Sequence, residues 1–343
     1  MMKKPNVILM EVTQECNLNC KYCSAYSMRG MENGKDLTLE EETKFLDRVS
    51  SWYEGSRPPL LLFTGGEPLM RDDIYELIDY AGRKGLITGL ATNGTLITEK
   101  EAEKLKKANL YRVAIDLDGA NEEIHNSLRD EFKETLRGCE LCKDAGLSLQ
   151  INSMITNLNK SEMPNILRLT ETLGVDAWHV FFLVPVKHFD EEYMLSPDEY
   201  EEVLKWLVSI RDRTEVEIAA TCAPQYLRFF GEVTRGKWRV ARGCSAGIGF
   251  VYVSHKGNVY PCDHLPILAG NIRGRDFEDI WDSAEVFQEL RDFGKLKGKC
   301  GVCEYKDICG GCRARAYFHY DDYLQEDPAC LYSPGRRNPA FDL

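Results

Sequence analysis

The stretch EVTQECNLNCKYCSAYS, residues 11–27, decides how this chain folds and what it can do. Its three cysteines, Cys16, Cys20 and Cys23, follow an apolar, strand-like run over residues 6–12. Thiolates are the usual ligands of iron–sulfur clusters, and three of them can hold three irons of a cubane [4Fe–4S] cluster. The fourth iron is then left without a protein ligand. Such an iron can bind and reduce a small molecule, whereas a fully ligated cluster mostly passes electrons.

Zinc is the main alternative occupant of a group of cysteines. Zinc sites in proteins are usually built from paired CxxC motifs or from mixed cysteine and histidine sets. The segment that carries Cys16, Cys20 and Cys23 contains no histidine and no second pair. The spacing therefore favours an iron–sulfur cluster over a zinc knuckle or three unrelated thiols.

The composition is that of an ordinary globular protein. The chain has 343 residues, of which 43% are hydrophobic and 29% charged, enough for one large domain and a smaller one. No apolar run is long enough to predict a transmembrane helix, and the N-terminus lacks the features of a signal peptide. The thirteen cysteines fall in groups typical of metal ligation, which favours a reducing, cytoplasmic setting over a disulfide framework.

Charge adds one exclusion and one open question. The net charge of −12 argues against nucleic-acid binding, which needs a basic surface. A basic island nevertheless lies between Glu232 and Asp263, where no acidic residue occurs; it consists of Arg235, Lys237, Arg239, Arg242 and Lys256. It indicates either an anionic substrate or partner nearby, or a solvated loop that offsets the negative charge of a cluster.

Residues 6–185 alternate short β-rich runs with amphipathic helical stretches. The predicted strands are Val7–Val12, Leu60–Phe63, Ile87–Ala91, Arg112–Ile115, Leu149–Met154 and Trp178–Leu183. Capping-box patterns predict helix starts at Thr38 and Thr98, and Ser196-Pro197 predicts the start of a long helix. This alternation predicts an α/β fold of parallel strands joined by crossover helices. Functional residues are then expected at the carboxyl ends of the strands.

The C-terminal part has a different character. It is rich in glycine and cysteine, and FVYVSHKGNVYPC predicts a hairpin that turns at residues 256–258. Its cysteines are Cys244, Cys262, Cys300, Cys303, Cys309, Cys312 and Cys330. A zinc ribbon needs only four such ligands, so seven cysteines argue against a zinc ribbon in this part of the chain.

In its cysteine spacing, and in the position of that motif after the first strand, the chain resembles the radical S-adenosylmethionine (SAM) superfamily. The resemblance implies a partial (β/α)6, TIM-like barrel. It also implies that the open iron of the [4Fe–4S] cluster chelates SAM through its amino and carboxylate groups. Reductive cleavage of SAM then releases a 5′-deoxyadenosyl radical. Cys16, Cys20 and Cys23 would be the catalytic cluster ligands.

The same resemblance assigns the SAM contacts. The sequence FTGGEPLM after strand two is similar to the family's GGEP motif, in which Gly65, Gly66 and Glu67 face the SAM amino group. Asn93, after strand three, fits a polar contact to SAM. Asp116, after strand four, stands where relatives usually carry serine; it can accept from ribose hydroxyls but would repel a carboxylate. Arg129 is either a cation for the SAM carboxylate or a surface helix residue.

The C-terminal cysteines resemble a SPASM domain, an extension that binds auxiliary iron–sulfur clusters. This resemblance implies a small Cys-rich α+β SPASM domain over residues 244–343, after a radical SAM core at 1–213 and a bridging region at 214–243. It implies one cluster held by Cys300, Cys303, Cys309 and Cys330, and an inner one held by Cys244, Cys262 and Cys312. The stretch SAGIGF lacks the further cysteine of many relatives. Cys222 is a candidate extra ligand or a small buried hydrophobe, and Cys139 and Cys142 are interpreted as core or surface thiols.

Three further stretches bear on the substrate: WHVFFLVPV at 178–186, TCAPQYLR at 221–228 and the closing CGGCRARAYFHYDDYLQEDPAC. Together they resemble the branch that contains heme synthases and heme d1 biosynthesis enzymes. This implies oxidative decarboxylation of the propionates of iron-coproporphyrin III to vinyls, with a reducing donor such as ferredoxin or flavodoxin. Two departures from the branch's usual sequence are the residues 186–189, VKHF, and the run CSAYS after the third cysteine. His188 or His264 could ligate a heme iron, although a lone histidine is more often structural.

Two other functions stay open at this point. A peptide or protein maturase that forms carbon–carbon or thioether links shares the same SPASM frame. A non-catalytic iron–sulfur electron carrier is the third hypothesis, but a carrier needs no GGEP motif and no SAM-facing residues.

Overall fold

The structure is a computed structural model that describes residues 4–23, 34–185, 191–229 and 243–335. Within those ranges the chain forms one ten-stranded sheet. The strands are β1 (Val7–Glu11), β2 (Leu60–Thr64), β3 (Ile87–Thr92), β4 (Arg112–Asp116), β5 (Leu149–Ile155), β6 (Ala177–Phe182), β7 (Glu217–Thr221), β8 (Phe250–Val253), β9 (Asn258–Tyr260) and β10 (Gly270–Asn271).

Helices connect most of the parallel strands. In the described ranges they are α1 (Leu39–Trp52), α2 (Ile74–Arg83), α3 (Glu99–Lys107), α4 (Glu122–Leu128), α5 (Phe132–Asp144), α6 (Met163–Thr172), α7 (Pro197–Ile210), α8 (Phe277–Ser283), α9 (Glu285–Arg291), α10 (Gly298–Val302) and α11 (Arg313–Tyr320). Short 3₁₀ turns lie at Pro68–Met70, Lys160–Glu162, Glu191–Tyr193, Arg211–Arg213 and Phe293–Lys295. In this part of the chain no helix is long and apolar enough to cross a membrane.

The strand order confirms the predicted α/β fold. The order is β10-β9-β8-β1-β2-β3-β4-β5-β6-β7, and strands β1 to β7 pair in parallel. All six predicted strands are present, with ends that differ from the prediction by one residue at most. Because every one of these strands points the same way, their carboxyl ends and the loops that follow lie along one edge of the sheet.

The two faces of the sheet differ in chemistry because side chains alternate along each strand. One face packs against the helices and forms the main core, in which Ile8, Met10 and Phe63 are fully buried. The other face carries a separate apolar cluster built around Leu9, Tyr252 and Tyr260. Towards β4 and β5 this second face turns polar, with Asp116 and Asn152 as paired neighbours in the sheet register. The face away from the helices therefore offers an apolar part and a polar part side by side.

The structure adds two pairings that the sequence pattern does not predict. Strand β7, in the predicted bridging region, pairs with β6 as a seventh parallel strand. Strand β8, the first strand of the predicted hairpin, pairs in parallel with β1 over Val7–Met10, while β9 follows antiparallel as expected. The predicted hairpin is thus present, but it continues the barrel sheet. The domain boundaries given above stay a prediction.

The predicted helix starts are largely confirmed. Thr38 and Ser196 both form complete capping boxes, with Glu41 and Glu199 respectively. Thr98 caps the next predicted helix by accepting from the Glu101 backbone N–H. These caps satisfy backbone donors that would otherwise have no partner in the first turn, and they fix where each helix leaves the sheet edge that carries the site.

Candidate active site and cluster-binding regions

The GGEP loop holds the start of the cysteine loop by backbone contact. The N–H of Gly66 donates to the Thr13 carbonyl at 2.8 Å, and the N–H of Glu67 donates to the Glu15 carbonyl at 2.7 Å. A Cβ atom on Gly66 would lie 2.2 Å from the Glu15 oxygen, and one on Gly65 would lie 2.3 Å from the Thr13 oxygen. The close approach that these glycines allow is therefore made to the chain's own backbone, just before Cys16.

Glu67 is buried and ties two loops together. Its carboxylate accepts from the Leu69 N–H at 3.0 Å, from the Thr92 hydroxyl at 2.7 Å and from the Asn93 N–H at 2.8 Å. Burial raises the pKa of Glu67 to about 7, against the lowering effect of these hydrogen bonds. Its Oε2 atom accepts only one of these bonds, so a lone pair is left for a further donor such as an ammonium group. The predicted contact with the SAM amino group stays a prediction.

Asn93 joins the loop after β3 to the cysteine loop. Its side-chain amide donates to Asn17 at 2.9 Å, and its oxygen accepts from the N–H and the hydroxyl of Thr95. Asn17 in turn donates to the Thr95 hydroxyl at 2.8 Å. This ring of three polar side chains lies one residue from Cys16. Asn93 thus positions the cluster loop, and its predicted contact with SAM is not tested by this geometry.

Arg129 is not an exposed helix residue. It closes helix α4, is 8% exposed, and sits among two carboxylates and a phenol. Its Nη2 atom pairs with Asp116 at 3.0 Å and donates to the Tyr22 hydroxyl at 2.6 Å. Its Nε atom lies 3.2 Å from Asp118. Two of its three nitrogens are therefore engaged by protein, which leaves Nη1 as the atom for any further anion.

Tyr22 connects this charged group to the cysteine motif, because it lies between Cys20 and Cys23. Its hydroxyl donates to the Asp118 carboxylate, and its ring packs with Leu128 and Leu183. Asp118 is also fixed from β5, since its Oδ1 accepts from the Met154 N–H at 2.8 Å. The Arg129 group therefore anchors the second half of the cysteine loop, as the GGEP loop anchors the first half.

The three thiols of the loop fit the predicted cluster by the chemistry of their donor set. Cys16, Cys20 and Cys23 are free, half-buried thiols, and the charge of Cys23 acts on both Cys16 and Cys20. Burial raises the pKa of Cys20 to about 12, while the positive charge of Arg129 opposes that rise. Among the described residues no three ligand-type side chains converge on one point as they would around a single metal ion. A cubane does not require this, because its thiolates bind different irons.

An open groove of about 830 Å³ runs along the outer side of the cysteine loop. It is lined by residues 16–19 of the loop and, across from them, by residues 130–134 at the start of α5 together with Glu122 and Asn126. Cys16 forms part of its wall, so the groove exposes this side of the cysteine loop to solvent.

The structure brings Cys300, Cys303, Cys309 and Cys330 together around one small cavity of about 30 Å³. Charged side chains of both signs also line it, namely Arg228, Lys299, Lys306, Glu326 and Asp327. The positive charge of Arg228 opposes the rise that burial causes in the pKa of Cys303. The four residues predicted for the outer auxiliary cluster thus lie around one cavity, and their role as its ligands stays a prediction.

The inner set, Cys244, Cys262 and Cys312, also gathers in one place. The thiolate charges of Cys244 and Cys312 both act on Cys262, whose pKa burial raises well above the usual range. The backbone N–H of Cys312 donates to the buried Asp327 carboxylate at 2.7 Å. Cys139 and Cys142, by contrast, are fully buried on α5 within the main core, which confirms them as core thiols.

A buried ion pair links the C-terminal region to the barrel. Arg315 donates to Asp327 at 2.8 Å, and neither side chain has more than 1% of its surface exposed. Although burial alone would raise it, the charge of Arg315 and the hydrogen bonds lower the pKa of Asp327 to about 2. Arg315 also donates to the carbonyl of Leu183, directly after β6. The auxiliary-cluster region is therefore bonded to the strand edge that carries the active site.

Several predicted residues lie outside the described ranges. They are residues 186–189, including His188, residues 24–27 of the cysteine stretch, and Arg235, Lys237, Arg239 and Arg242 of the basic island. Of the remaining residues, Lys256 lies in the turn between β8 and β9. His264 pairs with Asp263 at 3.2 Å, directly after Cys262.

Sequence reasoning missed three residues of the site: Tyr22, Asp118 and His125. His125 is buried, and its Nδ1 atom accepts from the Asp118 N–H at 3.3 Å. The pair of acids in IDLDG and the tyrosine inside the cysteine motif are signals that could have drawn attention to the first two. For His125 no local signal exists, because its role depends on how α4 packs against the end of β4.

Comparison with known proteins now identifies the class. The family model "Radical SAM superfamily" matches residues 10–170, and the model "Iron-sulfur cluster-binding domain" (SPASM) matches residues 244–313. The chain belongs to the radical SAM superfamily and carries a SPASM domain. Its cofactors are SAM with a [4Fe–4S] cluster in the barrel and auxiliary iron–sulfur clusters in the SPASM domain.

Individual relatives narrow the class. The chain is 42% identical to the AdoMet-dependent heme synthase of Methanosarcina barkeri, over 98% of this chain and 99% of that protein. It is 28% identical to the PqqA peptide cyclase of Bradyrhizobium diazoefficiens, over 96% of this chain and 87% of that protein. Among solved structures, Streptococcus suis SuiB bound to S-adenosylmethionine has a TM-score of 0.76 at 17% identity, covering 96% of this chain and 77% of that one. This last likeness supports the fold.

Proposed function

We propose that this enzyme is an AdoMet-dependent heme synthase, which converts two propionates of iron-coproporphyrin III to the vinyl groups of heme. The observation that carries the proposal is the 42% identity, over essentially both full lengths, to a protein of that name. The peptide cyclase covers a similar share of the chain at only 28% identity. The tetrapyrrole substrate is therefore better supported than a peptide.

Each propionate loses one hydrogen atom, one molecule of CO2 and one electron. A hydrogen atom leaves the carbon next to the macrocycle, the bond to the carboxylate carbon breaks with loss of CO2, and one electron leaves as the vinyl double bond forms. When bound, SAM and its cluster supply the radical that takes the hydrogen atom, and the auxiliary clusters supply an acceptor for the electron. The chain's own residues have to bind, orient and shield the reactants.

Asp116, Asn152 and Arg129 would position SAM at the carboxyl edge of the sheet. Asn152 donates to Asp116 at 3.2 Å, so its amide orients one oxygen of that carboxylate. Arg129 binds the other oxygen. An acceptor fixed in this way suits ribose hydroxyls, and the remaining Nη1 of Arg129 suits the SAM carboxylate. Glu67, with one lone pair left on Oε2, suits the SAM ammonium group.

The substrate would lie against the face of the sheet away from the helices. The apolar cluster of Leu9, Tyr252 and Tyr260 on this face offers a dry, partly aromatic wall of the kind that binds flat hydrophobic ligands. Propionates need cationic partners. Lys256 and the basic island at residues 235–242 would supply them, since both lie close in sequence to Tyr252 and Tyr260. A ferredoxin or flavodoxin in the cytoplasm would supply the reducing electron, with the groove beside Cys16 as its side of approach.

The test is an anaerobic incubation of the reconstituted enzyme with SAM, a reductant and iron-coproporphyrin III, followed by mass spectrometry. Successive loss of two formic-acid equivalents, with deoxyadenosine formed in step, is the expected result. Metal-free coproporphyrin III is the matched control for dependence on the central iron. Deoxyadenosine without any change in the porphyrin would overturn the heme synthase proposal, and a panel of other tetrapyrroles and peptides would then be screened.

A further inference from the structure

We infer that Cys222 is the fourth protein ligand of the inner auxiliary cluster, beside Cys244, Cys262 and Cys312. The inference concerns only the cluster and is independent of which substrate the enzyme takes. The SPASM model matches residues 244–313, so Cys222 lies outside the sequence that defines the domain. The chain supplies it from the barrel side.

The backbone at Cys222 has an uncommon conformation that hydrogen bonds to its carbonyl hold in place. Cys222 directly follows β7 and has φ of +57°, in the left-handed region that non-glycine residues rarely adopt. Its carbonyl accepts from Arg315 Nη2 at 2.9 Å and from the Tyr200 hydroxyl at 3.3 Å. A left-handed conformation is strained for a residue that carries a Cβ atom, and such strain persists where the surroundings impose it, often at functional sites.

The same hydrogen bonds connect Cys222 to Cys312. Arg315 bonds both to the Cys222 carbonyl and to Asp327. Asp327 in turn accepts from the Cys312 N–H at 2.7 Å and from the Gln225 side chain at 2.7 Å. One buried carboxylate thus holds the segment that carries Cys312 and the turn that begins at Cys222.

Contacts of the neighbouring turn bring Cys244 to the same place. Gly243 packs so tightly on Pro224 that a Cβ atom at Gly243 would lie 2.8 Å from the Pro224 backbone. The N–H of Cys244 donates to the Cys309 carbonyl at 3.1 Å. Since Pro224 is two residues from Cys222, and Cys309 three from Cys312, the segments that carry three of the four thiols are in direct contact.

The electrostatic interactions divide the C-terminal cysteines into two groups of four. The thiolate charges of Cys312 and Cys244 act on Cys222, and they also act on Cys262. The other group, Cys300, Cys303, Cys309 and Cys330, interacts within itself. Cys222 therefore completes a set of four that matches the outer set in number.

The competing ligand in this place is Asp263. Its charge acts on both Cys222 and Cys262, but its carboxylate is paired with His264 at 3.2 Å. Thiolate is the preferred ligand of iron–sulfur clusters over carboxylate. Cys222 and Cys262 are half-buried, although desolvation raises the pKa of both thiols well above the usual range. That combination is expected of side chains that line an internal space, unlike the core thiols Cys139 and Cys142.

The test measures iron and spectroscopic signals and needs no turnover. Cys222→Ala and Cys222→Gly are each placed in the Cys16→Ala, Cys20→Ala, Cys23→Ala background, so that only auxiliary clusters remain. The glycine variant adopts the left-handed backbone without strain, and it therefore separates loss of a ligand from loss of folding. Cys142→Ala in the same background is the control for removal of a buried thiol.

We expect both Cys222 variants to lose at least one iron per chain relative to the background, and to show the electron paramagnetic resonance signal of a [3Fe–4S] cluster after mild oxidation. The signal of the outer cluster should persist, and the Cys142→Ala control should keep the iron content of the background. Full iron content with an unchanged spectrum in either Cys222 variant would overturn the inference and point to Asp263 or a non-protein ligand.

Discussion

The Nη2 atom of Arg129 lies 3.0 Å from the Oδ2 atom of Asp116. This pair joins the end of β4 to the end of α4, and through Tyr22 it also holds the cysteine loop. Arg129, which is predicted to bind the SAM carboxylate, thus also holds the loop that carries the cluster ligands. Substitutions at Arg129 should therefore lower the stability of the folded protein, whatever their effect on the reaction.

Replacing Arg129 by methionine keeps an unbranched apolar stem and removes the guanidinium charge. The carboxylates of Asp116 and Asp118 would then face each other without a cation. Removal of one partner of a buried ion pair typically lowers the free energy of unfolding by about 3–5 kcal/mol. Anaerobic denaturant unfolding should show this loss. In the double variant with Asp116→Asn part of the stability should return.

Arg83→Met is the matched control for Arg129→Met, because Arg83 pairs with Asp79 on the exposed side of α2. Exposed pairs contribute about 0–1 kcal/mol, so this variant should be nearly neutral. Equal effects of the two substitutions would contradict the structural role assigned to Arg129.

Gly66→Ala should displace the cysteine loop, because the new methyl group would overlap the Glu15 carbonyl. We expect iron to be lost from the N-terminal cluster and SAM cleavage to fall to background, while auxiliary iron is retained. Gly82→Ala in α2 is the control, since its nearest neighbour would lie 3.9 Å away and alanine favours a helix by up to about 1 kcal/mol. An active Gly66→Ala enzyme would show that the loop tolerates a shift.

His125 should make the unfolding free energy of the protein fall as the pH falls. Burial lowers the pKa of His125 to about 4, from the usual 6.5. Its Nδ1 accepts a hydrogen bond, so protonation favours the unfolded chain. The stability that the neutral ring provides is complete above pH 6.5 and is lost as the pH falls towards 4.

His125→Asn keeps an acceptor near the Nδ1 position but does not titrate. Between pH 7 and pH 5.5 the wild-type protein should lose about 1 kcal/mol of unfolding free energy relative to this variant. Parallel pH profiles for the two proteins would mean that His125 does not titrate in this range.

The N-terminal cysteines and the outer auxiliary cysteines should be separable by substitution. Cys16→Ala, Cys20→Ala and Cys23→Ala together should abolish SAM cleavage and leave auxiliary iron bound. The double variant Cys300→Ala, Cys303→Ala should keep SAM cleavage and lose auxiliary iron, since these residues line the separate outer cavity. Iron analysis and deoxyadenosine formation measure the two effects independently. Persistent SAM cleavage in the first variant would overturn the assignment of the N-terminal cysteines.

The sequence predicts the strands and the cysteine groups well, because both depend on local patterns. It does not predict β7, whose sequence EIAAT is short and lacks the branched and aromatic run typical of strands. Nor does it predict that β8 pairs with β1, because no local signal specifies a partner so distant in the chain. The fold class follows from alternation, while the full extent of the sheet does not.

Within the site, too, local sequence patterns predict which residues matter but not their distant contacts. Spacing identifies Glu67, Asn93 and Arg129 as candidates, but it does not say what else they contact. Each of them turns out to hold a neighbouring loop by hydrogen bonds within the protein. Asp118 is missed because it lies two residues beyond the end of β4, where strand alternation no longer predicts the direction of a side chain.

The pairing of Val7 with Phe250 also bears on how the chain is made. During synthesis β1 leaves the ribosome before the other strands of this sheet, yet one of its two neighbours, β8, follows only after β2 to β7 have been translated. Until then an apolar strand edge is left open, and open edges of this kind recruit other chains. A barrel produced without residues 244–343 would keep that edge permanently exposed. Strand β8 therefore also covers the β1 edge of the sheet and protects it against self-association.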